Sequence, residues 1–132
     1  MQPPLTIIGI IHSELKKLED CPRQEDEEAP EASLTILPAF RAGIKDITAG
    51  DELLLFSWLH KADRQTLSTR PRNNPNKSLT GVFSTRSPNR PNPIGLHRVS
   101  VRSVSDTGVI NVSGLEVLNQ TPLIDIKSVS NK

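Results

Sequence analysis

Between Gly81 and Gly95 the chain reads Gly-Val-Phe-Ser-Thr-Arg-Ser-Pro-Asn-Arg-Pro-Asn-Pro-Ile-Gly. Pro88, Pro91 and Pro93 fix φ and remove amide donors, so this loop cannot join a ladder and is stiff in one shape. Asn89 and Asn92 can bond local backbone, and Gly95 permits a sharp exit into the next strand. A stiff loop carrying Arg86 and Arg90 suits an anion or nucleotide clamp, ordered before its ligand arrives. Two plainer readings stand beside that one. The loop could be a structural crossover, and Pro88-x-x-Pro91 matches the pattern of proline-rich recognition peptides, although flanking strands oppose the latter.

Other chemistries lack their spacing. No glycine-rich dinucleotide fingerprint follows a strand-like run, and no GxxxxGK[ST] loop occurs. His12, His60 and His97 lie far apart without metal-ligand spacing, so no metal is expected. No Ser-His-Asp order is convincing. The single cysteine, Cys21, rules out an intramolecular disulfide and a thiolate-rich cluster, and reads as a small, partly buried residue. His60 directly follows the apolar run ending Trp58-Leu59, where it could equally be a strand-end residue or a ligand contact.

Charge is segregated along the chain although the net value is only +1. From Glu14 to Glu31 there are eight acids and three bases. From Arg64 to Arg102 there are eight bases and no acid. The basic segment could meet a phosphate backbone or an anionic ligand, or could pair with the acidic segment of the same chain.

The elements that must hold these residues are short and β-like. Leu5–Ile11, Leu53–Leu59, Ser78–Phe83, Leu96–Val104, Val109–Val112 and Leu123–Ile126 are apolar, β-branched or alternating runs. The second is apolar enough to be central in its sheet. Asp106-Thr107-Gly108 predicts a tight hairpin between the fourth and fifth runs. Pro38–Ile47 places Phe40, Ile44 and Ile47 on one face of a short helix, which Gly43 weakens and Gly50 ends. The stretch from Arg23 to Glu31 reads as an exposed loop. With 11 prolines and one helix, the fold class is all-β, a barrel or a sandwich. A chain of 132 residues is the size of one domain. The N-terminus lacks a charged region, and Leu5–Ile11 is too short for a signal peptide or a span, so a cytoplasmic protein without membrane contact is expected.

The proline-rich loop resembles the signature of the TrmO (TsaA-like, YaeB-like) family of tRNA methyltransferases, and further matches fall in the same order. Ile8-Gly9-Ile10-Ile11 resembles the family's opening strand, Pro22-Arg23-Gln24 its PRQ motif, and Trp58-Leu59-His60 the end of its long apolar strand. Arg70-Pro71-Arg72 is similar to its RPP/RPR element. Gly114-Leu115-Glu116 and Thr121–Lys127 resemble its closing motifs. The likeness spans nearly the whole chain.

That resemblance implies a small antiparallel β-barrel with one short helix, with residues 1–132 forming a single TsaA-like methyltransferase domain and no additional C-terminal domain. It implies a homodimer that uses S-adenosyl-L-methionine to methylate the exocyclic nitrogen of threonylcarbamoyl-adenosine, next to the tRNA anticodon. Cofactor contacts would fall on Gln24, Glu25 and Asp26, on His60 and Lys61, on Arg86, on Leu96, and on Ser113, Gly114, Leu115 and Glu116. Arg86 suits the cofactor's carboxylate or a phosphate, Glu116 the cofactor's hydroxyls or amino group, and Leu96 an apolar contact. Asp125 is the candidate proton acceptor or orienting group, with a turn residue as the plainer reading. Arg70, Arg72 and Arg90 are expected on tRNA phosphates, where charge is needed without base readout. The chain departs from the family where Ser128-Val129 stands in place of the usual Pro-Tyr, and where Glu25-Asp26 stands in place of Pro-Gly. Two other functions fit the same residues: a methyltransferase of this fold with a non-tRNA acceptor, and a non-catalytic nucleotide- or RNA-binding module.

Overall fold

A computed structural model describes residues 3–14, 31–70 and 74–130. Among the described residues, eight strands run in chain order: β1 (Gly9–His12), β2 (Glu31–Ile36), β3 (Glu52–Trp58), β4 (Ser68–Thr69), β5 (Thr80–Gly81), β6 (Ile94–Val104), β7 (Val109–Ser113) and β8 (Thr121–Ser128). Six of them close an antiparallel barrel in the order β1-β2-β7-β6-β3-β8. The expected all-β barrel is therefore what the chain forms. β4 and β5 make a separate two-stranded ribbon between β3 and β6.

Alternation decides which side chains fill the barrel. In β3, Leu53, Leu55 and Ser57 are buried, whereas Leu54, Phe56 and Trp58 lie half-buried on the outer face. Ile11, Leu34, Ile36, Ile110, Val112, Leu115 and Leu123 complete the interior with no accessible surface. β3 is central as its composition requires, paired with β6 on one side and β8 on the other. The 105–109 hairpin joins β6 to β7, closed by Ser105 N donating to Val109 O at 2.8 Å.

Four local expectations shift. The run Leu5–Ile11 yields a strand only from Gly9, and Leu5 is exposed, because the ladder to β2 begins at Gly9 opposite Ile36. β2 is a strand beyond those expected. Its period-two alternation of Ala32, Leu34 and Ile36 with Ser33 and Thr35 is plain in the residues. The helix at Pro38–Ile44 is 3₁₀ rather than α: Phe40 N donates to Leu37 O three residues back, and Ile44 and Ile47, not Phe40, pack on the core. The run Ser78–Phe83 is a strand only at Thr80–Gly81. It then tightens into a 3₁₀ turn at Val82–Ser84, which buries Val82 and leaves Phe83 in solvent.

Among the described residues, no helix is long and apolar enough to cross a membrane, and no group of three His, Cys, Asp or Glu side chains could hold a metal ion.

Candidate active site

β6 is the element along which most candidate residues meet. Its outward side chains include Ile94, Leu96 and Arg98, all exposed. His60 and Lys61 are exposed on the turn just beyond Trp58, whose register partner is Ile94. That turn is tied to the strand's entrance, since Leu59 N donates to Pro93 O at 2.8 Å. On the other side, Ser113 pairs with Ser100 of β6, and Gly114 lies against Arg98 O. Gly114 has φ +90°, a left-handed conformation that suits glycine and turns the chain off β7. Leu115 then dives into the core and Glu116 returns to solvent. Leu115 itself has no accessible surface, so the open positions of this segment are Ser113, Gly114 and Glu116.

The proline-rich loop is held to the same end of the barrel. Asp63 N donates to Asn89 Oδ1 at 2.9 Å, and Arg64 Nε donates to Pro91 O at 2.8 Å while its guanidinium lies 5.0 Å from the Trp58 ring centroid. Two loops far apart in sequence thus become one unit. The loop's arginines differ sharply. Arg90 is half-buried and turned inward, donating through Nη1 to Thr85 O (3.2 Å) and Ser87 O (3.0 Å) and through Nη2 to Val82 O (2.8 Å). Arg86 is exposed and makes no hydrogen bond or ion pair among the described residues. One arginine shapes the loop, and the other stands on it.

Asp125 reaches the outer face by an irregularity. Between Phe56 and Ser57 the β3–β8 register shifts, so that Phe56 faces Asp125 while Ser57 faces Leu123. The extra residue, Ile124, re-aims the residues after it, and Asp125 is exposed with Oδ1 accepting from Ile126 N at 2.9 Å. Phe56 also faces Leu96 across the β3–β6 ladder. Asp125, Phe56 and Leu96 therefore form one row on three adjacent strands, its ends about 10 Å apart at Cα from strand spacing.

Beneath that row lies a polar pair absent from the candidates read in the sequence. Ser57 Oγ, fully buried, shares a hydrogen bond of 2.8 Å with His97 Nε2. Burial holds His97 down at a pKa of about 4, from an ordinary 6.5. No local signal marks this pair, because its members are 40 residues apart.

Arg70 is exposed at the mouth of the β4–β5 ribbon, where Nη1 donates to Lys77 O at 3.3 Å. Gln24, Glu25, Asp26, Arg72 and Cys21 lie outside the described residues. Among the described residues, the acidic and basic segments meet where Arg102 lies 4.0 Å from Glu31, with both side chains exposed. A cleft of about 520 Å³ between the 3₁₀ segment and β8 includes Phe40, Ile126 and Asp125 in its wall, and another of about 370 Å³ lies beside His12 and Arg102. Neither is lined by His60, Lys61, Arg86 or Leu96.

Residues 10–132 match the family described as the tRNA-methyltransferase O N-terminal domain. The chain is 37% identical over 124 residues to a "probable S-adenosyl-L-methionine-binding protein" of Archaeoglobus fulgidus, covering 94% of this chain and 33% of that one. A protein of the same description from Methanothermobacter thermautotrophicus is 34% identical, over 91% of this chain and 85% of its own length. The crystal structure of TrmO from Pseudomonas aeruginosa superposes with a TM-score of 0.76 at 28% identity, over 98% of this chain and 57% of that one. The chain thus spans a third of the Archaeoglobus protein and little more than half of the Pseudomonas one.

Proposed function

We propose that this chain, which belongs to the tRNA-methyltransferase O N-terminal domain family, is an S-adenosylmethionine-dependent methyltransferase acting on threonylcarbamoyl-adenosine beside the tRNA anticodon. The observation that carries the reading is that β6 is flanked by the His60–Lys61 turn at Pro93 and Ile94 and by Ser113 and Gly114 at Ser100 and Arg98, with Leu96 between them, three pieces of sequence with no local reason to share one strand. The names of the relatives, which speak of S-adenosylmethionine binding, and the TrmO fold support it.

The residues fit the cofactor's chemistry. Arg86 offers a guanidinium for its carboxylate, Leu96 an apolar contact, Glu116 an acceptor for hydroxyls, and the backbone at Ser113 and Gly114 an edge for adenine. Gln24, Glu25 and Asp26 complete the set in this reading. When bound, S-adenosylmethionine supplies a methyl carbon already activated by positive sulfur. The protein's share is then to position the acceptor and take its proton. Asp125, at the far end of the Leu96–Phe56–Asp125 row, accepts the proton that leaves the urea-like nitrogen. Arg70 and Arg72 meet tRNA phosphates, and Arg90 serves the same surface by holding the loop in shape.

The reading includes a homodimer and a cytoplasmic location with the tRNA. The outer face of β3 and β6 carries Phe56 and Trp58, half-buried, and Ile94 and Leu96, 43% and 47% exposed, around the cofactor residues. A second copy covering that face would close an otherwise open site.

Calorimetric titration with S-adenosylmethionine and S-adenosylhomocysteine tests the reading. Saturable binding at about one site per chain is expected, followed by turnover on threonylcarbamoylated tRNA. Arg86→Ala should weaken cofactor binding strongly while leaving the melting temperature unchanged. No binding heat from a folded sample overturns the enzyme reading in favour of a binding module.

A further inference from the structure

The ribbon between β3 and β6 carries exposed apolar side chains that the methyl-transfer reading leaves unused. β4 and β5 pair Ser68 with Gly81 and Thr69 with Thr80, and Val82 N extends the ladder to Leu67 O at 2.9 Å. The 3₁₀ turn at Val82–Ser84 then sends neighbouring side chains opposite ways: Val82 is buried at 1% and Phe83 is 76% exposed. Leu67 and Leu79 flank the ribbon at 63% and 62%. Phe83 is thus a phenyl ring presented to water by the turn, and it is its grouping on one ribbon with the exposed Leu67 and Leu79, not the single ring, that points to a contact.

Charge identifies what would cover it. Arg70 and Lys77 are exposed on the same ribbon, and no acid occurs from Arg64 to Arg102. A second copy meeting this ribbon across a two-fold axis would set cations against cations. A polyanion with flat apolar faces along it satisfies both features, and that describes an unpaired nucleic-acid strand.

We propose that the β4–β5 ribbon is a single-stranded RNA track on which Phe83 stacks against a nucleobase while Arg70 and Lys77 meet the flanking phosphates. The inference rests on the tRNA reading of the proposed function and deepens it by naming the base-stacking residue. Phe83 supplies an aromatic platform in a chain that contains no tyrosine.

The test is fluorescence anisotropy of a short labelled single-stranded RNA against the full chain, with S-adenosylhomocysteine titration as a parallel readout. Phe83→Ala and Phe83→Leu are both expected to lose roughly tenfold or more in RNA affinity, and Phe83→Trp to keep it, as stacking requires. Arg70→Gln with Lys77→Gln should weaken binding and flatten its salt dependence. Cofactor affinity and sedimentation should be unchanged in every variant. RNA affinity unchanged in Phe83→Ala, while the parent binds RNA, overturns the track and leaves the RNA reading standing. Parent-like binding by Phe83→Leu with loss in Phe83→Ala overturns stacking in favour of apolar burial. A shift in sedimentation for Phe83→Ala assigns the ring to an interface between copies and overturns the proposal. A parent chain that binds S-adenosylhomocysteine but no RNA overturns the RNA reading, and this inference with it.

Discussion

Ser57 Oγ and His97 Nε2 lie 2.8 Å apart inside the barrel, and the backbone of Gly95 passes against both. A Cβ built on Gly95 would come within 2.5 Å of Ser57 Oγ and 2.7 Å of His97 Nε2. The glycine that ends the proline-rich loop is required by this pair, on the strand that presents Leu96 one residue later.

Gly95→Ala should therefore destabilise the protein by about 1–3 kcal/mol, the usual cost of overpacking. Chemical denaturation measures it. Ser57→Ala in the same chain removes the closest clash, so the double variant should lose less than the sum of the singles. Simple additivity would mean that the methyl is accommodated without touching Ser57.

Acid should weaken the fold through His97. Its folded-state pKa, about 4, lies below the ordinary 6.5, so the unfolded chain binds its proton first. The contribution is fully present above about pH 6.5 and is lost as pH falls from there toward 4, with an upper bound on the order of 3 kcal/mol. Denaturation midpoints measured across that window should fall with pH in the parent and fall less in His97→Gln, which keeps a hydrogen-bonding partner for Ser57. Identical slopes would remove His97 from the account.

Arg90 is expected to act on the ligand through Arg86. Arg90→Ala removes a donor from each of the carbonyls of Val82, Thr85 and Ser87 and loosens the loop on which Arg86 stands. Cofactor affinity should fall roughly tenfold, for a few charge-assisted bonds lost from a solvent-accessible loop. Arg90→Lys should rescue little, because a single ammonium cannot fork across three carbonyls. If Arg90 acts by placing Arg86, the Arg86→Ala/Arg90→Ala double variant should bind no more weakly than Arg86→Ala alone.

Asp125→Asn removes the proposed proton acceptor while keeping its shape. Turnover should fall by about 10²-fold or more, as for other general bases, with cofactor affinity unchanged in calorimetry. An equal loss in both measurements would place Asp125 in the cofactor site instead.

Much of the fold was legible because burial leaves a period-two trace. Leu96–Val104 announced β6 by its partial alternation and Leu53–Leu59 announced the neighbouring β3 by its continuous apolar run, and the 105–109 hairpin was written in Asp-Thr-Gly. The short helix was visible as a segment but not as 3₁₀, since Phe40, Ile44 and Ile47 fit a helical face while Pro38 and Gly43 leave the hydrogen-bonding choice to the packing beneath. Arg86 and Arg90 read alike in the sequence. Whether a guanidinium turns in to carbonyls or out to solvent depends on how the loop folds back on Val82, which no pattern of residue types records.

The residues alone determined that the chain is all-β, that the loop from Gly81 to Gly95 is stiff, and which family it resembles, because proline geometry, alternation and a long specific string are local properties. Register was decided only by tertiary structure. The row of Asp125, Phe56 and Leu96 requires β3 to align with two strands at once and the β3–β8 ladder to slip at Phe56/Ser57. Slipping one strand by one residue would turn its member of the row to the interior, and the burial of Leu55, Val99 and Leu123 together selects the alignment observed. That choice is made by the shared core, not by any one segment, and it is what gathers the candidate site.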